Sequence, residues 1–92
     1  RRPSPEASAL AGELRRTIQR LVAALPNRLR DPLLLVGSGD YTYDDVAEML
    51  GQPVGTIKWR VSEARRQLKA KLTRLGFADR LGAPAARATV RR

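Results

Sequence analysis

Between Ala9 and Leu25 the apolar residues Leu10, Leu14, Ile18, Leu21 and Leu25 recur three or four positions apart. That spacing lines one face of an α-helix. Arg15, Arg16 and Arg20 fall off the stripe. Pro26 stops this helix and suits the first turn of another. Leu29, Leu33, Leu34 and Val36 mark a shorter apolar segment that contains Pro32. Two readings stay open there: a helix from Pro26 that kinks at Pro32, or a helix that Asp31 caps and Pro32 begins. Gly37-Ser38-Gly39-Asp40 reads as a turn.

Thr42-Tyr43-Asp44-Asp45 has the form of a helix start, with Thr42 as cap and Asp44 and Asp45 at the positive end of the helix dipole. Tyr43, Val46, Ala47 and Leu50 then share one face, and Gly51 is placed to end a short helix. One of Tyr41 and Tyr43 is expected outside and the other in the core. After the turn Gln52-Pro53-Val54, a long helix is predicted from about Gly55 to Leu75, burying Ile57, Val61, Ala64, Leu68, Leu72 and Leu75. Two helices joined by a turn of three to four residues, the second the longer, outline a helix-turn-helix. The small Ala47 lets the second helix cross close by, and Gly51 supplies the positive φ of the turn. No segment alternates as a strand does, so the fold class is all-α, a small four-helix domain.

The outward face of the long helix carries the chemistry. At about 100° per residue from Ile57, its core positions stay within about 60°, whereas Arg66 falls at about 180° and Trp59 at about 200°. The only tryptophan therefore points away from its own core, among cations. Such a face suits a DNA major groove. Lys58 can donate to guanine, Glu63 can accept from a cytosine amino group, Ser62 can bond either kind of edge, and Trp59 can press on a thymine methyl. Arg60, Arg65, Arg66 and Lys69 can reach phosphates, and Thr56 sits at the helix start where a phosphate is favoured. Plainer roles stand beside these. Trp59 can pack on the first helix, the tail or a partner protein, and Glu63 can simply pair with Arg60, Arg66 or Gln67 one turn away.

Charge strengthens the reading. Lys and Arg number 18 against 9 Asp and Glu, a formal net charge of +9, which favours an anionic partner. There is no His and no Cys, which removes disulfides, Cys/His zinc sites and His-based catalysis. Asp44, Asp45 and Glu48 have no convergent group that would make them a metal or acid–base site. No nucleophile–base pair can be assembled, so an enzyme is not expected, and no cofactor is implied. No apolar run reaches the ~20 residues that span a bilayer.

The segments Leu25-Pro26-Asn27-Arg28-Leu29-Arg30, Tyr41 to Gly51, and Pro53-Val54-Gly55-Thr56-Ile57-Lys58-Trp59-Arg60-Val61-Ser62-Glu63-Ala64-Arg65-Arg66-Gln67-Leu68 resemble region 4 of the extracytoplasmic-function sigma factors. The resemblance covers Leu25 to Leu72, about half the chain. It implies a helix-turn-helix domain of sigma region 4 or winged-helix-like type that recognises the promoter −35 element for RNA polymerase. Bases would be read from Lys58, Trp59, Ser62 and Glu63, and phosphates held near Thr56 and the neighbouring arginines. Implied partners are double-stranded promoter DNA, the β flap of the polymerase core and an anti-sigma factor, in the bacterial cytoplasm and without a membrane. Trp59 stands where the family commonly has serine, and Glu63 where arginine is common.

These readings give a linker or frayed start over 1–8, a DNA-binding domain over 9–75 with the helix-turn-helix at 42–72, and a basic, mostly disordered tail over 76–92 with one helical turn near Phe77 to Leu81. The abrupt start suggests a piece of a longer sigma factor, joined through Arg1 to Ser8 to a region that binds the −10 element. Two other functions fit the outline: a sigma-like module that sequesters an anti-sigma factor, and the output domain of a response-regulator-type transcription factor.

Overall fold

The computed structural model describes residues 5–77, with side chains from residue 9 onward. Four helices follow one another: α1 (Pro5–Ala23), α2 (Asn27–Gly37), α3 (Tyr43–Leu50) and α4 (Val54–Arg74). Helix α4 packs against all three others, and α2 is its most extensive neighbour. The expected tail, apart from Gly76 and Phe77, lies outside the described residues, as does nearly all of the helical turn expected over Phe77 to Leu81.

Helix α1 is already helical from Pro5, the first described residue, ahead of the Ala9 that the apolar period marks. Residues 5–8 carry no apolar repeat, so a period-based reading is silent there. The apolar stripe of α1 is only partly covered. Leu14, Ile18 and Leu21 are half-buried and Leu10 is exposed, whereas Thr17 beside them is buried.

Helix α2 runs unbroken from Asn27 through Pro32, with Pro26 just outside it. The carbonyl of Pro26 accepts from Leu29 N at 2.9 Å and Arg30 N at 2.8 Å, which fixes the first turn. A proline inside a helix removes one hydrogen bond and costs about 3 kcal/mol. Here the Pro32 ring is among the most completely buried side chains, so apolar burial offsets that loss.

Helix α3 is closed at both ends by its own sequence. Thr42 Oγ1 accepts from Asp45 N at 3.0 Å, and Asp45 Oδ2 accepts from Thr42 N at 2.9 Å, a reciprocal capping box. At the other end Gly51 has φ 65°. Its N–H reaches Glu48 O at 3.3 Å and Gln52 N reaches Ala47 O at 2.9 Å, the pair of bonds of a Schellman stop.

Among the described residues, two apolar clusters make up most of the core. One joins Leu25, Leu29, Ala64 and Leu68, flanked by Leu21, Val22 and Leu33. The other joins Val46 and Ala47 of α3 to Ile57 and Val61 of α4, flanked by Leu33, Val36, Tyr43, Leu50 and others. Leu33 touches both. The second cluster sets the angle of the helix-turn-helix, and fully burying side chains such as Val46, Ile57 and Val61 contributes roughly 1.5–3 kcal/mol each.

Leu75, expected in the core, is 58% exposed. The helix ends at Arg74 and Leu75 is its C-cap. Gly76 then turns the chain with φ 94°, and Phe77 N bonds back to Leu72 O at 2.9 Å. That turn carries the Phe77 ring inward, where it is buried. Phe77, assigned to the tail by its lack of period, is thus part of the folded domain.

Candidate nucleic-acid interface

Helix α4 owes the direction of its outward face to Ile57, Val61, Ala64, Leu68 and Leu72, all buried. With that stripe fixed, the opposite positions must face solvent. Trp59 is 60% exposed, so the indole stands outside the domain's own interior. Lys58, Ser62, Arg65, Arg66 and Lys69 are exposed with it, and Thr56, Arg60 and Glu63 are half-buried.

The first turn of α4 has no side-chain cap. The carbonyl of Pro53 takes the N–H groups of Thr56 (3.0 Å) and Ile57 (3.2 Å), and the helix dipole leaves this end positive. Lys58, one turn on, holds its Nζ over the Tyr43 ring, 5.9 Å from the centroid. A cation at that distance is attracted to the ring face, so α3 supports a side chain of α4 at the surface. Of the two tyrosines, Tyr41 is exposed and Tyr43 packs on the second cluster.

Glu63 is not a free acceptor. Its Oε1 takes Arg66 Nε at 3.0 Å, and its Oε2 takes Arg66 Nη2 at 2.5 Å and Gln67 Nε2 at 2.9 Å. Three of roughly four lone-pair positions of a carboxylate are therefore engaged. The hydrogen bonds from Arg66 and Gln67 hold the Glu63 carboxyl down at about 2, with a smaller part from the charges of Arg66 and of Arg28 on α2. Arg66 is correspondingly raised by its bond to Glu63.

Arg60 diverges from the other cations. It lines a notch of about 270 Å³ with Asn27, Arg28, Asp31, Pro32 and Leu50, between α2, α3 and α4. Asp31 in that notch is paired with Arg30, at 3.4 Å. The structure thus brings Lys58, Trp59, Ser62, Arg66 and Lys69 to one outward side and turns Arg60 toward α2.

Three features of the surface were invisible to periodicity: the Tyr43 support under Lys58, the charge of Arg28 acting on Glu63, and an apolar groove of about 530 Å³ between α1 and α2. Ile18, Val22, Ala23 and the half-exposed Leu34 line the groove, with Gln19 and Arg30 on its rim. Each arises between helices, where sequence spacing carries no signal. Among the described residues no three His, Cys, Asp or Glu side chains gather as a metal site would need, and Asp45 is occupied in the capping box. Among the same residues no helix is long and apolar enough to cross a membrane.

The family described as Sigma-70, region 4 matches residues 15–68. The chain is also similar to the ECF RNA polymerase sigma factor EcfG of Rhodopseudomonas palustris, with 48% identity over 48 residues, 52% of this chain and 26% of that protein. Similarity to the ECF RNA polymerase sigma-E factor of Haemophilus influenzae runs at 32% over 69 residues, 75% of this chain and 36% of the relative. The ECF RNA polymerase sigma factor SigW of Bacillus subtilis is 32% identical over 68 residues, 74% of this chain and 36% of its own length. The chain therefore spans only 26% to 36% of the length of these relatives. No solved structure matches the chain significantly.

Proposed function

The chain belongs to the sigma-70 region 4 family, and from that premise we propose that it binds duplex DNA as the −35-reading domain of an extracytoplasmic-function sigma factor in transcription initiation. The observation that carries the reading is the outward Trp59, set with Lys58 and Ser62 on the solvent side of a helix-turn-helix's second helix. An indole at this position can press on a thymine methyl, and its exposed neighbours Lys58 and Ser62 are groove-reading donors.

In this reading Lys58, Trp59 and Ser62 meet base edges, near the helix N-terminus where recognition helices do so. Thr56, Arg65 and Lys69 hold the backbone. Arg60 reaches a phosphate only from the side of the α2 notch. The domain works by binding and has no catalytic step. Its protein partners are the RNA polymerase core, through the β flap, and an anti-sigma factor that masks it, all in the bacterial cytoplasm. The apolar α1/α2 groove supports a protein partner, because a half-exposed Leu34 beside Ile18 and Val22 gains from being covered.

Selection of bound duplexes from a random library tests the proposal. A single asymmetric consensus of −35 type is the expected result. A dyad-symmetric consensus points to a dimeric regulator, and no enrichment at low salt points to a protein-only module. Lys58→Ala is expected to weaken binding to the selected duplex more than to scrambled DNA. Equal loss on both refutes base reading by Lys58.

A further inference from the structure

Glu63 is the only acid on α4, which carries seven Lys and Arg residues. An acid on a face that meets a polyanion costs affinity unless it reads a base or does something else. Its oxygens here are turned not outward but along the helix, to the next turn, where Arg66 grips them through Nε and Nη2 and Gln67 adds a third bond. The side chain of Glu63 is 20% exposed and that of Arg66 68%. The acid therefore lies beneath the arginine that covers it. Two parallel N–H···O bonds from one guanidinium are the geometrically most specific form of this pair. All three residues belong to one helix, so the pairing stays available when a ligand arrives.

Each phosphate that a protein neutralises releases counterions and steepens the salt dependence of binding by about 0.9 in the log–log slope. A guanidinium already matched to a carboxylate brings no net charge to that exchange. If a phosphate captured Arg66, it would leave a bare carboxylate facing the backbone. Kept or broken, the pair sums to zero charge.

We infer that Glu63 limits the domain's non-specific hold on DNA by cancelling Arg66, and that it does not read a base. The inference rests on the DNA-binding reading above. It removes both Glu63 from the base-reading set and Arg66 from the net phosphate-binding set. Binding to scrambled DNA is almost wholly backbone charge, so the effect is largest there. Lys58, Trp59 and Ser62 are left to supply sequence preference.

The test is fluorescence anisotropy of the full chain across a salt series, with a scrambled duplex and with the duplex recovered by selection. Glu63→Gln is expected to tighten binding to the scrambled duplex several-fold and to steepen its salt slope by about 0.9. Arg66→Ala is expected to weaken binding, because the acid is then uncovered. The double variant Glu63→Gln/Arg66→Ala is expected to return to the wild-type affinity and slope. That rescue is the decisive readout, since a residue with a merely structural role does not restore a neighbour's loss. A double variant as weak as Arg66→Ala overturns the inference in favour of a direct Arg66–phosphate contact. Loss on Glu63→Gln confined to the selected duplex overturns it in favour of base reading. An unchanged slope in Glu63→Gln overturns it as well. Wild-type protein that binds neither duplex in a salt-dependent way refutes the DNA-binding reading itself, a result distinct from all of these.

Discussion

Trp59 and Glu63 show how differently two neighbours on one turn are used. The indole is 60% exposed and contributes little to folding, so Trp59→Ala is expected to shift stability by less than about 0.5 kcal/mol. The same change is expected to cost duplex affinity. Thermal unfolding and anisotropy measured on one preparation check both halves, and a large loss of stability counts against the outward placement. Glu63 makes a prediction about pH. Its carboxyl sits at about 2 instead of 4.5, first because Arg66 and then because Gln67 donates to it, with Arg28 of α2 adding its charge. A depressed carboxyl stabilises the fold above its unfolded value, so this contribution is complete above pH 4.5 and fades as pH falls through about 2. Carboxyl-carbon NMR is expected to find Glu63 titrating well below the ordinary range, and Arg66→Ala is expected to move it upward. An unmoved midpoint in that variant refutes the pairing.

Helix α3 is the element whose ends are most fully specified by single residues. Thr42→Ala removes one half of the capping box and is expected to cost about 1 kcal/mol. Gly51→Ala forces a side chain into φ 65° and is expected to cost about 1–2 kcal/mol. Chemical denaturation with unchanged m-values checks both, and a neutral Gly51→Ala contradicts the left-handed turn. These ends were legible because capping is a contact between residues three apart, within reach of a pattern. The ends of α1 and α4 were less so. Residues 5–8 carry no apolar period. Leu75 kept perfect step with the stripe and still lies outside, because Gly76 ends the helix and turns Phe77 inward. A glycine after the last turn ends a helix, but nothing in the spacing says that the residue after it folds back inward.

At the scale of the molecule, α4 is both the central packing element and the outward reading surface. Its stripe holds the other three helices, so damage to the core and damage to the site are separable only by burial. Ile57 is completely buried in the cluster shared with α3. Ile57→Ala is expected to cost 2–5 kcal/mol, a large share of the roughly 5–15 kcal/mol that small domains possess. It should lower binding to selected and scrambled duplexes alike, in proportion to the unfolded fraction, whereas Lys58→Ala should lower them unequally, with stability reduced by no more than the about 0.5–1 kcal/mol of the lost Tyr43 contact. Leu33 touches both clusters, which ties the helix-turn-helix to the α1–α2 side. A single unfolding transition seen alike by Trp59 fluorescence and by circular dichroism is the expected consequence.

The outward side of α4 was readable in advance, since a helix that buries Ile57, Val61 and Ala64 must expose Trp59 and Ser62. Local rules were enough for that, because a helical face, a cap and a turn are all settled by residues within about four positions of one another. Tertiary packing alone decided that α2 runs through Pro32, since the ring's burial among other helices outweighs a lost hydrogen bond. It also carried Arg60 into the notch beside Arg28, set Tyr43 beneath Lys58, and opened the groove between α1 and α2. Even the choice of Arg66 over Arg60 as Glu63's partner belongs to it in part. Both lie one turn away in sequence, but α2 draws Arg60 into the notch and leaves Arg66 beside the acid.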